Sequence, residues 1–201
     1  MDIGYICQLP SRKRRIFDLD APALMVIDLT NDFLAAWKPD RRARLIAATN
    51  DLVRHFRRTG RPIIWVRQDF REDLRDAFLE MRDRNVRLNI IGTAGAELDD
   101  RLETLDGDIT IVKKRYSPFF ATHLDAVVAK MDIRSLVITG INTHACVRMA
   151  AIDAYQRDMR VILAAEATGS YDEEHALVSL GYMDGKIARV LDNQAIRAEI
   201  T

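Results

Sequence analysis

Val137-Ile-Thr-Gly-Ile-Asn-Thr-His-Ala-Cys-Val147 changes its period half-way along. Its first part belongs to the apolar run Ser135-Leu-Val-Ile-Thr139, the pattern of a buried parallel strand. Gly140 ends that run. Beyond it Cys146, Met149, Ala150 and Ala154 recur at helical spacing. The reading places Cys146 in the first turn of a helix that leaves the carboxyl end of a strand. Open parallel sheets bind their ligands at such ends. Backbone N–H groups at a helix start carry partial positive charge, which favours a thiolate and can hold an oxyanion. Position alone leaves a second reading open, a structural cysteine that packs as a small hydrophobe.

The same alternation extends in both directions. Ala23-Leu-Met-Val-Ile-Asp28, Pro62-Ile-Ile-Trp-Val66, Asp108-Ile-Thr-Ile-Val112, Arg160-Val-Ile-Leu-Ala164 and Ile187–Leu191 read as further strands. Helical spacing is expected over 41–59, 74–81, 124–131, 146–157 and 171–183, with a helical turn or two over 96–105. Strands alternating with helices predict right-handed βαβ units and a parallel sheet of six strands covered on both faces. Gly92-Thr-Ala-Gly95 does not lead from a strand into a helix with dinucleotide-binding spacing, so no nucleotide cofactor is expected.

Composition sets the remaining limits. The chain has 201 residues, 48% of them apolar and 30% charged, which fits one sizeable soluble domain. Lys+Arg and Asp+Glu balance at 30 each, which argues against a nucleic-acid surface. No apolar run is long enough to span a membrane and no signal core is evident, so a cytoplasmic protein is expected. The two cysteines, Cys7 and Cys146, do not make a disulfide framework. Residues 1–22 read as an N-terminal arm or hairpin carrying the basic run Ser11-Arg-Lys-Arg-Arg15. Residues 23–201 form the main domain.

Three strand ends carry chemistry. Asp28, Lys113 and Cys146 each close a predicted strand. If those strands are neighbours, an acid, an ammonium and a thiol share one cleft, a set suited to nucleophilic catalysis. Asp28 would take and return the thiol proton, and Lys113 would hold Asp28 ionised.

These stretches resemble the isochorismatase-like cysteine hydrolases. The resemblance rests on Ala23-Leu-Met-Val-Ile-Asp28-Leu-Thr-Asn-Asp-Phe33, on Val112-Lys113-Lys-Arg-Tyr-Ser117-Pro-Phe119 and on Gly140-Ile-Asn-Thr-His-Ala-Cys146-Val147, in family order. It implies a three-layer α/β/α fold with a doubly wound, mainly parallel sheet and an Asp-Lys-Cys triad. It also implies a cis peptide at Ile141-Asn142 and an oxyanion hole from the backbone N–H groups of Asn142 and Cys146. The motif's spacing selects Lys113 over Lys114. Thr30 stands where the family often has Gln, and Pro118 replaces a commoner small residue. Metal-using nicotinamidases of the family carry Asp-x-His and a further His after the second strand. Asp69-Phe-Arg71 stands there in this chain, and no His occurs between His55 and His123, so no metal is expected.

The resemblance implies hydrolysis of a small amide or carbamoyl compound through a thioester-type intermediate. Vinyl ether hydrolysis of the isochorismate kind, which needs no cysteine, and a non-catalytic protein on the same fold are the alternatives. Phe33, Gln68, Arg67, Tyr116, Phe119 and His144 are candidate pocket residues. The expected partners are a small-molecule substrate and further copies of the chain, as a dimer or tetramer.

Overall fold

Pro22-Ala-Leu-Met-Val-Ile27 has no residue that tolerates solvent, and every one of its six side chains is buried. A strand apolar on both faces belongs in the middle of a parallel sheet. In the computed structural model, which describes residues 19–200, this strand, β1, sits there. The others are β2 (Ile63–Gln68), β3 (Ile109–Lys113), β4 (Ser135–Ile141), β5 (Arg160–Gly169) and β6 (Arg189–Leu191). They run in the order β3-β2-β1-β4-β5-β6, and every pairing is parallel.

The helices are α1 (Asn31–Leu34), α2 (Pro39–Arg58), α3 (Leu79–Asp83), α4 (Leu124–Lys130), α5 (Arg148–Tyr155), α6 (Glu173–Met183) and α7 (Asn193–Glu199). Alternation along the strands divides the core in two. Met25, Ile27, Ile64, Val66, Ile111 and Ile138 pack under α4, α5 and α6. Leu24, Val26, Trp65 and Val137 pack under α2 and α7. The sheet is therefore the middle of three layers, wound outward in both directions from β1 and β4. Between those two strands the connections diverge, and a crevice opens at their carboxyl ends.

Local chemistry explains where the elements depart from the expected ones. A helix over 74–81 does not form: Leu74 has φ +57° and the helix begins only at Leu79. Asp76 and Asp73 side chains accept the backbone N–H groups of Arg71 and Arg75, bonds that compete with a helix. The stretch 96–105 is likewise mostly turns, with a 3₁₀ turn at Ala94–Ala96; Asp99 accepts the Arg101 N–H. β5 runs on to Gly169, past its helix-favouring Ala-Glu-Ala, because it continues to pair with β4. α7 was not anticipated; Asp192 caps it by accepting from the Ala195 N–H at 2.7 Å. The expected arm, with Cys7 and the basic run at 11–15, falls almost wholly outside the described residues. Among the described residues no helix is long and apolar enough to cross a membrane.

Candidate active site

Ile27 is level with Val66 on one side and Gly140 on the other, so Asp28 lies at the mouth of the crevice. Its φ is +57°, a left-handed conformation that is uncommon for any residue but glycine and turns the carboxylate towards the sheet's α5 face. Gly140 has φ +106°, and a Cβ there would lie 2.0 Å from the Ile27 carbonyl oxygen. Only glycine lets β4 pass this close to the strand that carries Asp28.

Lys113 closes β3, two strands from β1. Adjacent strands are about 4.8 Å apart, so the gap is roughly 10 Å, within reach of an extended lysine and a carboxylate. Lys113 points to the same face as Ile109 and Ile111 and is fully buried. Its Nζ donates to Asp28 Oδ2 at 2.7 Å and lies 3.4 Å from Cys146 Sγ. Asp28 Oδ1 has no hydrogen-bond partner.

Cys146 comes from the other side of the switch point. After β4 the Ile141-Asn142 peptide is cis. The chain then makes a π-helical turn, Thr143–Val147, closed by the Val147 N–H on the Asn142 carbonyl at 3.2 Å, and runs into α5. This wide turn places Cys146 over the carboxyl ends of β1 and β4, 4% exposed. Burial, then the Asp28 charge, push its thiol well up; Lys113 opposes them but does not win. The sequence-based expectation of a lowered pKa therefore fails, because Sγ is buried against a carboxylate. Burial works against the Lys113 charge too, but Asp28 and Cys146 outweigh it and its pKa is raised. The cluster sets a thiol pushed up by burial beside the hydrogen-bonded Lys113–Asp28 pair.

Asp28 and Cys146 line a cavity of 780 Å³, with Lys113 buried behind them. Phe33, Gln68, Tyr116, Asn142 and His144 line it. Gln68, 3% exposed, has its Nε2 buried without a partner. His144 Nδ1 is 2.6 Å from Ser170 Oγ, and its ring stands edge-on to Tyr171 at 5.1 Å. Burial lowers its pKa, against a smaller opposing effect of Asp172. Phe119 is not a cavity wall. The Ser117 Oγ accepts the Phe119 N–H at 3.2 Å, and the ring turns into the core, with the Arg157 guanidinium 4.3 Å above it. Arg67 does not reach the cavity either. It lies on the opposite face and pairs with Glu97 at 3.3 Å. The walls that sequence reading missed include Phe70, Phe78, Leu79, Met81, Val86 and Leu88, with Met149 and Tyr171. No periodicity marks them.

The arrangement also bears on metal ions. Asp69 Oδ1 accepts from Lys114 Nζ at 2.6 Å, and Arg71 stands where the metal-using members have His. Among the described residues no group of three His, Cys, Asp or Glu is placed to hold a metal. The donor set does not fit that metal site.

An isochorismatase domain profile matches residues 22–195. The chain belongs to the isochorismatase family of hydrolases. Ureidoacrylate amidohydrolase RutB of Methylorubrum extorquens is 32% identical, over 80% of this chain and 75% of that one. N-carbamoylsarcosine amidase of Thermoplasma acidophilum superposes with a TM-score of 0.74 at 27% identity, over 86% of this chain and 96% of that one. An isochorismatase family protein from Desulfovibrio vulgaris shares the fold, with a TM-score of 0.83 at 24% identity over 89% and 97% of the two chains.

Proposed function

We propose that this family member hydrolyses a small amide or carbamoyl C–N bond through Cys146, with Asp28 and Lys113 completing the catalytic set. The observation that carries the reading is the shared ammonium. Lys113 holds one oxygen of Asp28 at 2.7 Å and sits 3.4 Å from the sulfur, leaving Asp28 Oδ1 unpartnered. A raised thiol pKa suits a proton transfer concerted with attack, since Asp28 takes the proton only as the S–C bond forms.

In that reading the thiol proton passes to Asp28 and Sγ adds to the carbonyl carbon. The oxyanion is received by the backbone N–H groups of Asn142 and Cys146. Collapse breaks the C–N bond, and Asp28 gives the proton to the departing nitrogen. Water then attacks the thioester, its proton going to Asp28 and on to the sulfur, which restores the thiol and releases the acid. The unpartnered Nε2 of Gln68 offers a donor to a substrate acceptor, and Phe33, Tyr116 and His144 bound the space around it. The names of the similar amidase and amidohydrolase agree with C–N chemistry. Vinyl ether hydrolysis would leave the sulfur without a task.

Ammonia release from a panel of amides and ureido acids, with isochorismate included, tests the reading. Turnover of at least one amide, with an acylated Cys146 seen by intact mass after rapid quenching, is expected. Isochorismate turned over while no amide releases ammonia would overturn it. Exposed Leu79, Tyr116 and Tyr171 around the mouth support self-association, and light scattering showing a monomer at micromolar concentration would contradict that.

A further inference from the structure

Lys114 follows Lys113 and points away from it. Its Nζ donates to Asp69 Oδ1 at 2.6 Å and to the Asp69 backbone carbonyl at 2.7 Å, and forms an ion pair with Asp76 Oδ2 at 3.0 Å. Three oxygens thus surround the ammonium, two of them as hydrogen-bond acceptors. The acids are engaged on their other sides as well. Asp69 Oδ2 lies 3.7 Å from Arg67 Nη2, and Asp76 Oδ1 accepts the Arg71 N–H at 2.9 Å. Arg115 Nη1 donates to the Asp76 carbonyl at 2.9 Å. Asp69 is 4% exposed.

This knot ties the loop after β2 to the end of β3, and it adjoins the aromatic wall of the cavity. Phe70 follows Asp69, Phe78 lies two residues beyond Asp76, and Tyr116 two beyond Lys114. The rings are linked: Phe70 meets Phe78 edge-on at 6.2 Å, and Phe78 meets Tyr116 at 5.0 Å. The Lys114 ammonium lies 5.9 Å from the Phe70 ring. Three chain segments that would otherwise be separate turns therefore present one surface, and the bond that joins all of them to a single atom is at Lys114 Nζ.

We infer that Lys114 is a positioning residue, a partly exposed cation held by Asp69 and Asp76 that fastens the aromatic wall of the cavity. The oxygens that hold it would form a cation site if the ammonium were removed. Two carboxylates and a carbonyl would then face one another, the oxygen-rich setting that hard cations take. With nothing between them the two negative charges repel, and the loop loosens.

The experiment is Lys114→Ala, followed by thermal unfolding with and without millimolar methylammonium, Ca²⁺ or Mn²⁺. The expected result is a lower Tm than the wild type, restored in part by at least one of these cations, which leave the wild type unmoved. Unfolding does not depend on the reaction, so this arm stands whether or not the protein is an amidase. The kinetic arm rests on that reading: KM for an amide substrate should rise roughly ten-fold with kcat within about two-fold, as expected of a displaced wall with an intact nucleophile. A Tm that no cation moves, or a loss of kcat at constant KM, would overturn the inference. If Lys114→Ala does not fold, Asp76→Asn removes one charge and keeps the ammonium. An unchanged KM in that variant would be equally decisive against a latch, and a KM rise of about three-fold would support it.

Discussion

Lys113 gives its ammonium to a carboxylate and lies against a thiol; Lys114, the next residue, holds its own among three oxygens. Both sit on buried acids at the end of one strand. Around Lys113 the accounts are left open. Asp28 Oδ1 and Gln68 Nε2 are buried without partners, and Asp28 is held at a positive φ. Around Lys114 two hydrogen bonds and an ion pair enclose the ammonium. Buried polar atoms are nearly always paired, so unpaired ones that face a cavity beside a thiol leave capacity for a substrate. An enclosed cluster can hold a loop but has nothing to offer a reacting molecule. Motif spacing already set Lys113 apart from Lys114, and the bonds around each lysine show the physical difference.

The largest expected effect tests the open cluster. Cys146→Ala should lower amide turnover by about 10⁴-fold or more while near-ultraviolet circular dichroism stays native. Retained turnover would break the contrast, because the unpaired atoms would then serve no covalent step.

Asp28→Asn comes next, with two readouts that move in opposite directions. Turnover should fall between about 10²- and 10⁴-fold, since the proton carrier is gone. Iodoacetamide labelling of Cys146 should become faster at a given pH. The Asp28 charge is one of the causes that push the thiol up, so removing it lowers the thiol pKa and raises the thiolate fraction. Labelling that slows together with turnover would count against this sign.

Lys113→Gln should cost turnover about 10²-fold and slow labelling, because it removes a positive neighbour that favours the thiolate. In the wild-type protein, labelling of Cys146 should keep rising with pH beyond the ordinary thiol value of 9.0, given the upward shift. A plateau near neutral pH would show a thiolate stabilised more than its burial allows.

Much of this was legible in the residues. Buried parallel strands are nearly uninterrupted apolar runs, so Ala23–Ile27 and Ser135–Thr139 announced themselves, and the groups that ended them were the ones brought together. The wall from Phe70 to Leu88 was not legible, since its course is set by Asp side chains bonding to backbone N–H groups and by Lys114 reaching back from β3. Phe119 was misplaced because a serine-bonded turn rotates it under Arg157. The state of the Cys146 thiol was misjudged because helix position is a local signal, whereas burial is a property of the whole packed site.

Lys113 arrives on β3, which stands at the margin of the sheet and pairs with β2 alone. Asp28 and Cys146 arrive on elements at its centre. Marginal strands open at lower free energy than central ones, in local excursions that leave the rest folded. Each such opening withdraws the ammonium and leaves a carboxylate beside a thiol with no cation between them. Amide hydrogens of Ile111 and Lys113 should therefore exchange faster than those of Met25 and Ile138. On slow heating, activity should disappear below the temperature at which circular dichroism reports global unfolding. Coincident midpoints, with equal exchange along β1 and β3, would show that the sheet opens only as a whole.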